Sequence, residues 1–258
     1  MAFEYSGSLS GAAPVVVQLD IGETCYEGQL LGTGILGGAG GHVQILDAAA
    51  AEAFENDIVP IGICAGVVDP SRTYNTTYRG NSSTYTTTQA TILANGMPGR
   101  VQVVLARPFD TLIKGPICYT AYGTAPTVLT NTTASAGGVL VTHAGEAITD
   151  TADDLCTVYC RTGANRGLYR VVTTGATGSQ TVTIPFPNAI AIGDTFVKVA
   201  CTLGYGGLNI ISTADCIDGD NALSYYYAVY YHEINCEVAG QEYAIFSFLP
   251  VGIGAYTG

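Results

Sequence analysis

The chain has 258 residues and a net charge of −12, with only 12% charged residues and a mean hydropathy of +0.30. Nine basic residues against twenty-one acidic ones, with no basic run, exclude a nucleic-acid binder, whose non-specific affinity comes from Lys and Arg neutralising phosphates. An anionic membrane surface is excluded on the same ground, and no stretch approaches the ~18 apolar residues of a membrane-spanning helix.

From the N-terminus, "MAFEYSGSLSGAAPVVV" lacks the basic and apolar regions of a secretory signal, so synthesis in the cytoplasm is expected. "VVVQLDI" then reads as a strand. "GTGILG" (Gly32, Gly34, Gly37) satisfies the dinucleotide fingerprint by letter. It is followed by more glycine and a strand, where a true fingerprint needs a helix on the pyrophosphate, so a Gly-rich hairpin loop is expected. "LDAAAAEAFEND" reads as a helix of barely three turns with Asp47 as N-cap. "DIVPIGICAGVV" is again a β-branched run.

The segment Ser71–Gln89, "SRTYNTTYRGNSSTYTTTQ", has seven threonines, three tyrosines and no carboxylate. It is too polar for a core and too weakly charged for an ordinary solvated loop. Long unstructured loops inside compact domains are often functional, and Thr and Tyr suit strands. It therefore reads as an arm over 69–90 that lies on a neighbouring subunit. Tyr74, Tyr78, Arg79 and Tyr85 are its expected contact residues, because tyrosines give large contact area at low entropic cost.

"RVQVVLA", "GLYRVVTT", "SQTVTIPF" and "DTFVKVACTL" continue the strand pattern, punctuated by Gly, Pro, Asn and Asp. "DTADDLCTV" is a weaker helix candidate. "IGETCYEG", "PFDTLIKG" and "IGDTFVKV" share an acidic residue and a threonine that can bond a turn's backbone and open a strand. This echo suggests two related β units, 1–125 and 126–258, divided near the uncharged "TAPTVLTNTTASAGG". In "SYYYAVYYHEINCEV" the even positions from Tyr226 to Val238 read as the buried face and Glu233, Asn235 and Glu237 as the wet one. Tyr225 and Tyr227 are added to the expected subunit interface. "EYAIFSFLPV" should close a hairpin on this strand. The fold class is mainly β, with sandwich-like or barrel-like units and at most one or two short helices.

Catalytic residues, cofactors and metals are all expected to be none. The eight cysteines sit mostly in apolar runs and read as small buried hydrophobes; "CTVYC" (Cys156, Cys160) lacks the second pair that a zinc site needs. "DCIDGDN" gathers Asp215, Asp218, Asp220 and Asn221 without the spacing of an EF-hand. His42, His143 and His232 are far apart in sequence and belong to no nucleophile or metal motif.

The order seen from Gly22 to Val68 is a turn with a strand, a glycine-rich loop, an Ala-rich "DAAAA" segment and "PIGICAGVV". It resembles the small β proteins that decorate or cement tailed-bacteriophage capsids. The resemblance implies a non-enzymatic virion protein on the outer capsid surface, bound between capsomers to the major capsid protein and to copies of itself, commonly as a trimer. Two alternatives stand beside it. One is a carbohydrate-binding or adhesin module of a tail or head fibre, to which Tyr-rich surfaces also suit. The other is the major capsid protein itself, whose long spine helix and extended N-terminal arm are not seen in this sequence.

Overall fold

A computed structural model describes residues 2–20, 25–34, 43–46, 58–68, 77–78, 84–85, 100–119, 123–126, 128–144, 156–176, 178–210, 216–219 and 227–249. Twenty strands and no helix occur among the described residues, so the chain is mainly β. The helix expected at 46–57 lies outside them, apart from Leu46. Of the second helix candidate, Thr157 and Val158 belong to a strand.

Three six-stranded sheets dominate. The first runs β1 (Glu4–Ser8), β10 (Thr111–Cys118), β20 (Tyr243–Phe248), β19 (Tyr227–Asn235) and β17 (Gly204–Leu208), with β18 (Ile217–Asp218) pairing parallel to β10. It joins strands from both sides of residue 125. The second runs β2 (Val16–Asp20), β9 (Arg100–Leu105), β6 (Ile58–Val68), β4 (Leu30–Gly34) and β5 (Val43–Ile45), with β7 (Thr77–Tyr78) on the end of β6. A separate two-stranded pair joins β3 (Cys25–Tyr26) to β8 (Thr84–Tyr85).

The third sheet is contained within residues 128–199. Its order is β11 (Val128–Thr130), β16 (Thr195–Val199), β13 (Thr157–Cys160), β14 (Tyr169–Ala176), β15 (Ser179–Val182) and β12 (Leu140–Thr142). The two outermost strands meet just beyond their ends. Asn131 bridges His143, the Thr132 N–H donates to the Thr142 carbonyl at 2.8 Å, and the Thr142 N–H donates to Asn131 Oδ1 at 2.9 Å. That contact nearly closes the sheet into a barrel, which removes most of its exposed edge. Leu129, Val141, Cys156, Val158, Cys160, Val172, Val182 and Phe196 fill the interior.

Alternation along β13 and β16 explains how barrel and sheets join. Val158, Cys160 and Phe196 point into the barrel, while Tyr159, Val197 and Val199 point outward into a larger core. That core also takes Leu30 and Ile63 from the second sheet, Leu46 from just past β5, and Ile113, Val229, Tyr231 and Phe246 from the first. Each such side chain contributes roughly 1.5–3 kcal/mol by leaving water. Gly115 is needed there, because a Cβ at that position would lie 2.3 Å from the Phe3 ring. Phe3 in turn meets Phe246 edge-on at 6.0 Å.

The hairpin expected at the C-terminus forms between β19 and β20. Its buried face differs from the expected one. The register shifts between Tyr231 and Glu233, so Val229 and Tyr231 are buried before the bulge and Ile234 and Cys236 after it. One extra residue moves the core side from odd to even positions. Tyr230 therefore faces away from the core, and Val238 is exposed.

Beyond the hairpin turn, a buried ion pair ties barrel to sheet. Arg161 Nη2 donates to Glu242 Oε1 at 2.5 Å and Arg161 Nε to the Cys236 carbonyl at 2.8 Å, with the two side chains 11% and 1% exposed. Removing one partner of a buried pair strands the other charge in a poor solvent, a loss of about 3–5 kcal/mol. Glu242→Ala should lower stability by that amount in urea denaturation. Arg166→Ala, which breaks the exposed pair with Glu237, should change it by less than about 1 kcal/mol.

Candidate interaction surfaces

The residues expected at a subunit interface are placed as follows. Tyr78 lies in β7, whose backbone pairs with Val67, and Tyr85 in β8, paired with Cys25. Both stretches of the 69–90 segment that are described thus bond to the chain's own strands. Tyr227 is half-buried and packs against the large core. Tyr74, Arg79 and Tyr225 lie outside the described residues.

The outward face of the first sheet carries a row that the sequence reading did not single out. Tyr205 on β17, 70% exposed, meets Tyr230 edge-on at 5.2 Å, and Tyr230 lies 4.9 Å from the His232 ring. His232 Nε2 sits 2.9 Å from Ser247 Oγ, and burial lowers its pKa, so the ring is neutral near pH 7. Ser247 is fully buried, which keeps its hydroxyl from a substrate. The pair therefore supports packing rather than nucleophilic chemistry, which needs an accessible hydroxyl and an oriented base. Further along, Tyr243 Oη donates to Glu233 Oε1 at 2.8 Å. Lys114 lies 4.5 Å above the Tyr243 ring and 3.2 Å from Glu4.

A second surface surrounds the turn between β9 and β10. Phe109 has φ 57° and is 45% exposed. Left-handed backbone is rare for a bulky residue, and it persists only where the surroundings impose it. Here they do. The Phe109 N–H donates to the Phe248 carbonyl at 2.9 Å, and the N–H groups of Asp110 and Thr111 both reach the Arg107 carbonyl. Thr111 Oγ1 accepts from the Arg107 N–H at 2.9 Å and donates to the Leu105 carbonyl at 3.2 Å.

Asp110 pulls the N-terminal segment onto the same turn. Its Oδ1 accepts from the Ser10 N–H and from Ser8 Oγ, each at 2.8 Å, and its carbonyl accepts from the Leu9 N–H. The Ser10 contacts, then Ser8, hold its carboxyl below the usual range. The braced turn thus carries an apolar knob, the exposed Phe109 ring, with Leu9, 59% exposed, on the segment bonded beside it. The acid-then-threonine echo opens a strand here and at Asp194–Thr195, with one member bonding the turn's backbone in each: Thr111 Oγ1 at the first, and at the second Asp194 Oδ2, which accepts from the Ala191 N–H at 2.8 Å before β16 begins.

The remaining motifs resolve simply. Gly32 and Gly34 lie in β4, and Gly37 is outside the described residues. Cys156 and Cys160 are buried in the barrel. Asp218 sits in β18, while Asp215, Asp220 and Asn221 are not described. Among the described residues no three His, Cys, Asp or Glu side chains converge on a point that could hold a metal. His143 lies at the barrel closure, away from the sheet that carries His232, and His42 is outside the described residues. No family model, curated protein or solved structure matches the chain.

Two expectations follow. Burial pushes the thiols of Cys64 and Cys236 up to about 12 and that of Cys160 up to about 11, from an ordinary 9.0. Below pH 9 folded and unfolded thiols are both protonated and nothing is lost. Above it only the unfolded chain releases these protons, so stability falls as pH rises toward 12. Urea midpoints should drop between about pH 8 and about pH 10.5, and less so after Cys64→Ala and Cys236→Ala. Separately, Phe109→Gly relieves left-handed strain while losing the ring's partial contacts. Its melting transition should stay within about 1 kcal/mol of the parent, whereas an unstrained, merely structural Phe109 would cost more.

Proposed function

We propose that the chain is a structural protein of a tailed-phage virion, seated on the outer capsid surface and bound to the major capsid protein. The observation that supports this reading best is the Phe109 knob. A protein gains nothing for its own stability by holding a phenylalanine in strained backbone and half in water. A knob of that kind serves a partner with an apolar recess, as buried aromatic anchors do at protein interfaces. The acidic, ion-poor composition agrees, since a shell protein away from the genome needs no basic face and copies fixed in a lattice need little surface charge.

Co-sedimentation with undecorated tailed-phage shells tests the reading. The chain should pellet in fixed ratio to capsid subunits and raise the temperature of shell disruption, and Phe109→Gly should abolish both effects. A chain that remains in the supernatant, or a Phe109→Gly variant that pellets equally well, overturns the proposal.

A second reading, carbohydrate binding, has its own support in the exposed Tyr205 ring beside Tyr230 and the Glu233–Tyr243 pair. The perpendicular rings disfavour a flat two-ring platform for sugars. Glycan-array binding that is lost in Tyr205→Ala would favour this second reading instead.

A further inference from the structure

We propose that β2 is an association edge, on which a second copy of this chain adds its own β2 in antiparallel pairing across a twofold axis. Among the described strands β2 is bonded on one side only, to β9, in the register Val16↔Val104 through Asp20↔Arg100. The Leu105 N–H donates to the Val15 carbonyl at 3.0 Å, which fixes the phase of the ladder. Antiparallel pairs alternate between bonded and non-bonded positions. Val17 and Leu19 therefore turn their backbone groups to β9, and Val16, Gln18 and Asp20 turn theirs outward.

Three features make this edge suited to a copy of itself. It is unguarded: natural edge strands are usually blunted by lysine, proline or a bulge, and the β2–β9 register has no shift and β2 no lysine. The other edges differ. β1 carries a register shift beside Gly7, β17 is three-fifths glycine and β5 has three residues. Pro14, at the next outward position, has no N–H and limits the pairing to three residues per copy.

The edge is also uncharged in a chain of net charge −12. No residue from Tyr5 to Leu19 is ionic, and Val15 and Val16 are exposed. Asp20 is paired with Arg100 at 3.0 Å. A register centred on Gln18 sets Val16 of one copy opposite Asp20 of the other, so the two Asp20 residues stand about 14 Å apart along the strand. Two strongly acidic molecules can thus approach here without opposing like charges. Finally, the same surface is presented by both partners, as a twofold contact requires. The Phe109 knob adjoins the Val15 end, held by Arg107 Nη2 donating to the Ala13 carbonyl at 3.3 Å. This inference does not rest on the capsid reading.

Sedimentation equilibrium of the full chain from about 1 to about 100 μM provides the test, since mass action makes such a dimer concentration-dependent. The parent should pass from monomer to dimer. Gln18→Pro deletes an outward N–H and leaves the bonds to β9 intact, so it should weaken the dimer at least about ten-fold while the melting temperature stays unchanged at dilutions where both chains are monomeric. Gln18→Lys sets two like charges opposite each other at the twofold axis and should do the same, which keeps the test decisive if the proline variant folds poorly. A parent that stays monomeric throughout, or an assembly of any order that Gln18→Lys leaves intact, overturns the proposal.

Discussion

The architecture depends on two strands that are buried on both faces. β13 and β16 supply Val158, Cys160 and Phe196 to the barrel and Tyr159, Val197 and Val199 to the core shared with the two open sheets. A strand with one wet face can slide by a residue when its partner moves. A strand with two dry faces cannot, because a one-residue slip would exchange both sets of side chains at once. The barrel is thereby fastened to the sheet that joins the N-terminal strands to the C-terminal hairpin, and the Arg161–Glu242 pair secures the same junction beyond the hydrophobic contact.

Rigidity of that kind determines what the surface can do. With the interior committed to packing, chemistry would have to come from exposed groups, and the described surface offers few. The thiols of Cys64, Cys160 and Cys236 are held protonated by burial, and His232 meets a hydroxyl that is sealed from solvent. What the surface does present is shape: an unbulged strand edge, a strained aromatic knob and a row of tyrosines, each on a firm support. Each is a shape that a partner could meet, and on the reading proposed above they are the places where neighbours would sit.

The sequence made the β class readable because alternation and turn residues are local signals. It made the turns before β10 and β16 readable in part: the Thr111 hydroxyl and the Asp194 carboxylate each bond backbone within a few residues, whereas Asp110 reaches the distant Ser8 and Ser10 and the Thr195 hydroxyl meets that of Thr162. The failures are equally physical. One bulge beside His232 reversed the faces of β19, which no count of alternating residues could register. The pairing of β10 with β20 spans more than a hundred residues and leaves no local trace. Lys198 is buried in the structure, although its letter suggests a solvated position. "PFD" contains neither Gly nor Asn, so nothing announced left-handed backbone at Phe109. Nothing in the sequence around Tyr205 marks it, because its exposure comes from strand order and not from its neighbours in sequence.

The central proposal is that neighbouring protein covers this surface, and residue-resolved hydrogen exchange along β2 addresses it most directly. At low concentration the outward amides of Val16, Gln18 and Asp20 should exchange fast and those of Val17 and Leu19 slowly. At high concentration all five should be slow. Outward amides already protected in the dilute chain, or equally fast at every concentration, would contradict the account.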